Sequence, residues 1–405
     1  MKKIIGLFLA LVTALSFTAC KPSSPSGSYE DDTMSYSRFV KNVKTTAQLT
    51  GKKAVTDTLS NWQIGGTDLG FPIYNSKNDT MYIAFGDTFR NPENMTGGWR
   101  SNVLGVSRDF DLSDGLAFDG FLESREGIAG AVIEGMHADD GTEVTKIPTG
   151  GIEIDGVMYL FYMSVRQWTT PGEWLVNYCA AVKSVDQGRT WERVYDLTWI
   201  NEMDESLTEQ AVSFANRDAN NRENVGNIAA EGRVSDNFMQ IFPIDGKDDY
   251  IYLFAIPQGR SGGAKLARVK RDSFEDFSAY EYFTGRKDGE AVYAQGSDGL
   301  SSLKQNDDSY IILPTTGEVS VMYNEYLKKW TAIYYTKNTV SFCMADKIDG
   351  TYSLPETLIT NSEYAGLYGG MCHEKYSKNQ GKTFYFFLSQ WMPTYNTFVI
   401  EVELV

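Results

Sequence analysis

A chain of 405 residues with a formal net charge of −16, 53 acids against 37 lysines and arginines, is a poor partner for nucleic acid or anionic lipid. Neutral sugars are untouched by that field, and the 24 Tyr, 22 Phe and 8 Trp suit both a sheet-rich core and sugar stacking. With His137 and His373 as its two histidines, the chain excludes a multi-histidine zinc site.

Lys2-Lys3, an apolar run from Ile4 to Phe17 and Thr18-Ala19-Cys20 read as a secretory signal over residues 1–19. Cys20 in the +1 position resembles a bacterial lipobox cysteine and is expected to carry a lipid; Phe17 at −3 leaves ordinary secretion open. The run is too short for a stable transmembrane span and is followed by the polar Lys21-Pro22-Ser23-Ser24-Pro25-Ser26. Removal of Lys2 and Lys3 with the signal takes the charge to −18. Residues 20–50 are expected to form an anchored flexible linker, and residues 51–405 a single domain, monomeric and water-facing. Cys179, Cys343 and Cys372 are too scattered for a metal knuckle or a disulfide framework, and at least one must stay unpaired.

The domain opens with Gly66-Thr67-Asp68-Leu69-Gly70, a turn signal at Asn78-Asp79, and Met81 to Phe85 leading into Gly86-Asp87-Thr88-Phe89. That pattern predicts a hairpin whose two acids, Asp68 and Asp87, emerge at one sheet edge, although each alone is also an ordinary turn cap. Similar apolar runs follow polar turns at Val157 to Met163, Tyr250 to Ile256, Tyr310 to Leu313 and Phe384 to Leu388, roughly 60–90 residues apart. Each reads as the second strand of a hairpin, buried on both faces. Glu205 to Ala215 is the candidate helix. Five repeated sheets predict an all-β, five-bladed β-propeller, with a sandwich or two-domain β protein as the alternative, and Leu59 to Ile64 is expected to pair with Thr397 to Val405 to close the ring.

In a propeller the first strand of each blade lines the channel and the second runs back, so first-strand starts and second-strand ends share a face. That face is expected to gather Asp68 and Asp87; Glu143, Thr149, Arg166 and Trp168; Arg233 and Asp236; Asp298 and Glu318; and His373, Glu374, Gln390 and Trp391. Asp68, Asp87, Glu143 and Glu318 are the candidate catalytic acids, because glycosidic cleavage needs one carboxyl to protonate the leaving oxygen and another to activate water or attack carbon. A salt bridge to Lys146 is the competing account of Glu143. Glu318 is placed at the end of the fourth blade's second strand. Trp99, Trp168 and Trp391 are candidate sugar platforms, with Arg100, Asn102 and Asn177 to bond hydroxyls. Ser184-x-Asp186-x-Gly188-x-x-Trp191 matches the Asp-box of sialidase-like propellers, a turn-stabilising marker of fold rather than chemistry, and no arginine triad accompanies it.

Gly-Thr-Asp-Leu-Gly at 66–70, Phe-Gly-Asp-Thr-Phe at 85–89, Trp-Arg-Ser-Asn at 99–102, Ile-Pro-Thr-Gly-Gly at 147–151 and Ser-Val-Met-Tyr-Asn at 320–324 together resemble the bacterial DUF4185 family over roughly residues 60–405. The resemblance implies glycoside hydrolase family 183, endo-D-arabinofuranosidases that cut mycobacterial D-arabinan on a five-bladed propeller. Asp68 and Asp87 stand inside the family's motifs, and Tyr323 and Asn324, in the last of them, join the expected sugar-contacting set. The signal and the acidic Tyr29-Glu30-Asp31-Asp32 resemble glycan-foraging surface lipoproteins of Bacteroidota, which implies an outer-membrane anchor facing the periplasm or the cell surface. No cofactor is expected, a structural Ca²⁺ being the one ion left open. The alternatives are a non-catalytic glycan-binding propeller and another furanoside specificity.

Overall fold

The structure, a computed structural model, describes residues 38–303 and 308–405. The signal, Cys20, the tether through Ser37 and the Asn306-Asp307 turn lie outside the described residues.

The first hairpin forms where its pattern places it. Leu69–Asn75 pairs antiparallel with Thr80–Phe85, with Ile73 opposite Tyr82, and Asp79 turns the chain at a φ of 50°. All six residues of the returning strand are buried, as two-faced packing between neighbouring sheets requires. Val103–Ser107 and Gly120–Phe121 complete this first blade. Thr145–Ile154, Val157–Trp168, Trp174–Ser184 and Glu192–Ile200 make the second. The third is built on Gln240–Asp245, Tyr250–Ile256, Gly263–Lys270, Glu281–Lys287 and Glu290–Gln295. Val319–Asn324, Lys329–Thr336, Thr339–Ala345 and Glu356–Thr360 form the fourth. The fifth joins Leu367–Lys378, Thr383–Gln390 and Asn396–Leu404 to an N-terminal strand, Val40–Gln48. The innermost strand of each blade touches that of the next, and the fifth touches the first, so the sheets close into a five-bladed β-propeller.

Three placements differ from expectation. The ring is closed by Val40–Gln48 pairing with Asn396–Leu404, so residues expected in the linker belong to the fifth blade. Leu59 to Ile64 takes no part: Thr58–Trp62 is a short helix whose first turn is capped by the Asp57 carboxylate accepting from Ser60 N. Tyr310 to Leu313 is not the fourth blade's second strand. A 3₁₀ turn at Asp308–Tyr310 leads to Leu313–Thr315, which pairs with the start of Gly263–Lys270 in the third blade, and Lys329–Thr336 is the true second strand. Glu318 therefore precedes a first strand instead of ending a second.

The predicted helix is present at Glu205–Ala215, with the Asp204 side chain accepting from Leu207 N. The Asp-box is a turn lock. Gly188 N donates to Ser184 Oγ, Thr190 N to Asp186 Oδ1, and Trp191 Nε1 to Gly188 O. Cys179, Cys343 and Cys372 are free and buried. Among the described residues no helix is long and apolar enough to cross a membrane.

Candidate active site

The innermost strands start at Leu69, Thr145, Gln240, Val319 and Leu367, all toward one mouth of the ring. A cavity of about 700 Å³ opens there, lined by Asp68, Asp87 and Glu318 beneath a largely aromatic wall. Trp168 and Trp391 stand at its rim, 45% and 43% exposed.

Local backbone irregularity aims Asp68 inward. Leu69 (φ 59°) and Gly70 (φ 96°) both lie in the left-handed region, and the strand register breaks between Leu69 and Phe71. A leucine held there is strained, and Ser389 Oγ of the fifth blade pins it by accepting from Leu69 N at 2.7 Å. A Cβ on residue 86 would collide with Asp68 Oδ1, so the carboxyl fits only because Gly86 has none. That oxygen is buried without a hydrogen-bond partner, while Oδ2 accepts from Tyr368 OH at 2.8 Å.

The two acids of the hairpin are held differently. Burial, reinforced by the neighbouring Asp87 charge, pushes the Asp68 pKa up to about 8, against the opposing pull of the Tyr368 and Tyr395 phenols. Asp87 is also raised by burial, but only to about 6, because Trp99 Nε1 and Thr145 Oγ1 each donate to its Oδ1 at 2.7 Å. At neutral pH the pair thus presents one protonated carboxyl and one carboxylate in the same cavity.

Glu318 is engaged by a guanidinium. Arg260 Nη2 and Nε donate to its two oxygens at 2.5 and 3.3 Å. The guanidinium centre lies 4.9, 4.7 and 5.4 Å from the rings of Trp174, Tyr335 and Tyr368, which come from the second, fourth and fifth blades. Arg260 itself sits at a φ of 61°, directly after Gly259 at 60°.

The other candidates from sequence fall elsewhere. Glu143 is 1% exposed and does not line the cavity: it accepts from Ser164 Oγ, Met136 N and Asn221 Nδ2, with Lys146 Nζ at 3.7 Å. Asn102 is also internal scaffolding, accepting from Val132 N and Ile133 N and donating to Ile133 O and Lys146 O. Asn177 donates to Thr142 O and Ser164 Oγ, and Arg100 to Gln63 O. Trp99 lines the cavity, yet its indole N–H is committed to Asp87 and its ring packs on Phe89. Tyr323, His373 and Glu374 line a separate 270 Å³ cavity at the opposite ends of the inner strands, and Asn324 Nδ2 bonds Gly381 O nearby. Arg166 is tied to Asn177 and Gln210, Arg233 to Asp196, and Asp298 lies in the helix Gly296–Ser302. Among the described residues there is no group of three or more His, Cys, Asp or Glu that could hold a metal ion.

Asn102→Ala should cost about 2 kcal/mol or more by orphaning buried backbone groups of the loop at Val132 and Ile133 and of the strand Thr145–Ile154, measured as a lower midpoint in thermal or denaturant unfolding.

The residues that sequence reasoning missed are Arg260, Tyr368 and Tyr395, and Trp174, expected with Trp168 to be an exposed indole of one loop, is buried instead. Tyr395 OH donates to Asp87 O at 2.9 Å, and Trp174 is 5% exposed beneath Arg260. The one local signal was the glycine cluster around Tyr368, at 366, 369 and 370, which mirrors the glycines at 66 and 70 around Asp68.

Residues 53–401 match a family described as "Domain of unknown function (DUF4185)". A search of curated proteins finds no match. Among solved structures, a "putative hydrolase" from Bacteroides ovatus ATCC 8483 is similar with a TM-score of 0.53 and 11% identity, covering 85% of this chain and 87% of that one. Weaker likenesses include Zg3597, a family 117 glycoside hydrolase from Zobellia galactanivorans (TM-score 0.44, 10% identity, 89% and 90% covered). Another is the endo-arabinase from Bacteroides thetaiotaomicron VPI-5482 (TM-score 0.41, 11% identity, 89% and 98% covered). At such identities the likeness is one of fold.

Proposed function

The chain belongs to the DUF4185 family, and from that premise we propose that it is a glycoside hydrolase acting on α-D-arabinofuranosyl linkages of D-arabinan, within the chain rather than at its ends. Two carboxyl groups with unequal proton affinity in one aromatic-rimmed cavity are the observation that supports this reading most strongly. In it, Asp68 protonates the leaving glycosidic oxygen. Asp87, ionised and held by Trp99 and Thr145, activates water or attacks the anomeric carbon. Trp168 and Trp391 offer apolar faces to flanking sugars. Cys20 anchors the enzyme by its lipid to the outer membrane, with the propeller facing the periplasm or the exterior.

Incubation of the purified protein with mycobacterial arabinogalactan should release arabino-oligosaccharides; no release from any arabinan or related furanoside polymer rejects the proposal. The pH dependence of kcat/KM should be bell-shaped, rising through about 6 as Asp87 ionises and falling through about 8 as Asp68 loses its proton. A profile flat from pH 5 to 9 contradicts the assignment of roles.

A further inference from the structure

Tyr368 occupies a position whose backbone is shaped around it. It is the second residue of the fifth blade's inner strand, and Gly369 (φ 78°) and Gly370 (φ 142°) follow at a break in register between Tyr368 and Met371. A Cβ on Gly370 would lie 2.8 Å from Ile333 Cγ2, so the irregularity depends on glycine. It faces the equivalent break at Leu69–Phe71 in the first blade, and the two turn Tyr368 and Asp68 toward one another. The same tyrosine ring stands 5.4 Å from the Arg260 guanidinium that holds Glu318.

We propose that Tyr368 is a positioning residue for Asp68, fixing one carboxyl oxygen by its phenol while its ring stands beside the Arg260 guanidinium that holds Glu318. The proposal rests on Asp68 being the acid of the reading above. The phenol meets Oδ2 while Oδ1 is sealed beside Gly86, which leaves the carboxyl little freedom to rotate. The other groups facing Asp68 are Asp87 on the adjoining strand end, Tyr395 from the loop after the fifth blade's second strand, and Glu318 from the fourth blade. Asp87 and Glu318 favour the protonated acid, whereas Tyr368 and Tyr395 favour the ionised one.

Tyr368→Phe keeps the ring over Arg260 and deletes only the donor. It should lower kcat about tenfold or more with KM within about twofold, and move the alkaline limb of the profile upward by about one pH unit. A second readout needs no substrate. In Tyr368→Phe the carboxyl titration of Asp68, followed by infrared difference spectra against Asp68→Asn, should move upward by a similar amount, while Tyr368→Phe in an Asp68→Asn background shows no such band. If wild type cleaves no polysaccharide, the functional reading fails, and the infrared titration still decides whether the Tyr368 phenol fixes the Asp68 carboxyl. A folded Tyr368→Phe protein with limb and titration where wild type has them overturns the inference.

Discussion

Asp87→Asn should lower turnover by three or more orders of magnitude while leaving the protein folded, and Asp68→Asn should do the same for a different reason. Asparagine at 87 keeps an oxygen to accept from Trp99 and Thr145, so the cavity wall survives while the charge proposed to activate water or attack carbon is gone. Asparagine at 68 keeps an acceptor for Tyr368 and loses the transferable proton. An aryl arabinofuranoside with an acidic phenol as leaving group separates the roles, because departure of that group needs no protonation. Asp68→Asn should recover much of its rate on this substrate, and Asp87→Asn should not. The reverse pattern would exchange the two assignments, and a non-catalytic glycan binder would have no turnover to lose.

The same substitution carries a stability signature of fixed sign. Asp68 has a folded pKa near 8 against an ordinary value of 3.8, so the native state holds a proton that the unfolded chain has already released between those values. Its contribution is fully present below about 3.8 and is lost as pH rises through about 8. A tenfold difference in proton affinity between the folded and unfolded chain is worth about 1.4 kcal/mol, and solvent access through the cavity mouth reduces what is realised. Asp68→Asn should accordingly melt above wild type at pH 9. In the proposed reading function is set against stability: the carboxyl assigned to proton transfer is one the fold would be steadier without at alkaline pH.

Much of the architecture was legible because hairpins write themselves locally. Asn78-Asp79, Asp155-Gly156, the Lys247–Asp249 stretch and Asn379-Gln380-Gly381 are turn chemistry followed by β-branched and aromatic runs, and each of these four runs is a second strand in the structure. The fourth blade was misplaced because its own reversal, Glu325 to Lys328, carries one weak turn signal, the preceding Asn324 whose Oδ1 accepts from Leu327 N, and places Lys328 rather than a glycine at a φ of 54°. Glu143 resembled Asp68 in standing just before a strand, but no backbone break re-aims it, and its carboxylate stays among Ser164, Asn221 and Lys146. Asp68 and Asp87 were legible as a pair through one short hairpin. Their partners were not: Tyr368 lies 300 residues from Asp68, and nothing among 24 tyrosines says which one the closed ring brings to an acid.

Arg260→Met should destabilise the protein by about 3–5 kcal/mol at pH 7, the largest stability loss expected from a single substitution at this cavity. Methionine replaces much of the volume under Trp174 and Tyr335, so the loss comes mainly from charge: Glu318, 6% exposed at its side chain, would be left without its two donors. Adding Glu318→Gln removes the stranded charge, and the double variant should recover a large part of the lost stability at pH 7. Non-additivity of this size in a double-mutant cycle, read from denaturant midpoints at pH 7, identifies the pair as one electrostatic unit. Strictly additive losses would mean that Arg260 serves the cavity through packing against its three rings rather than through Glu318.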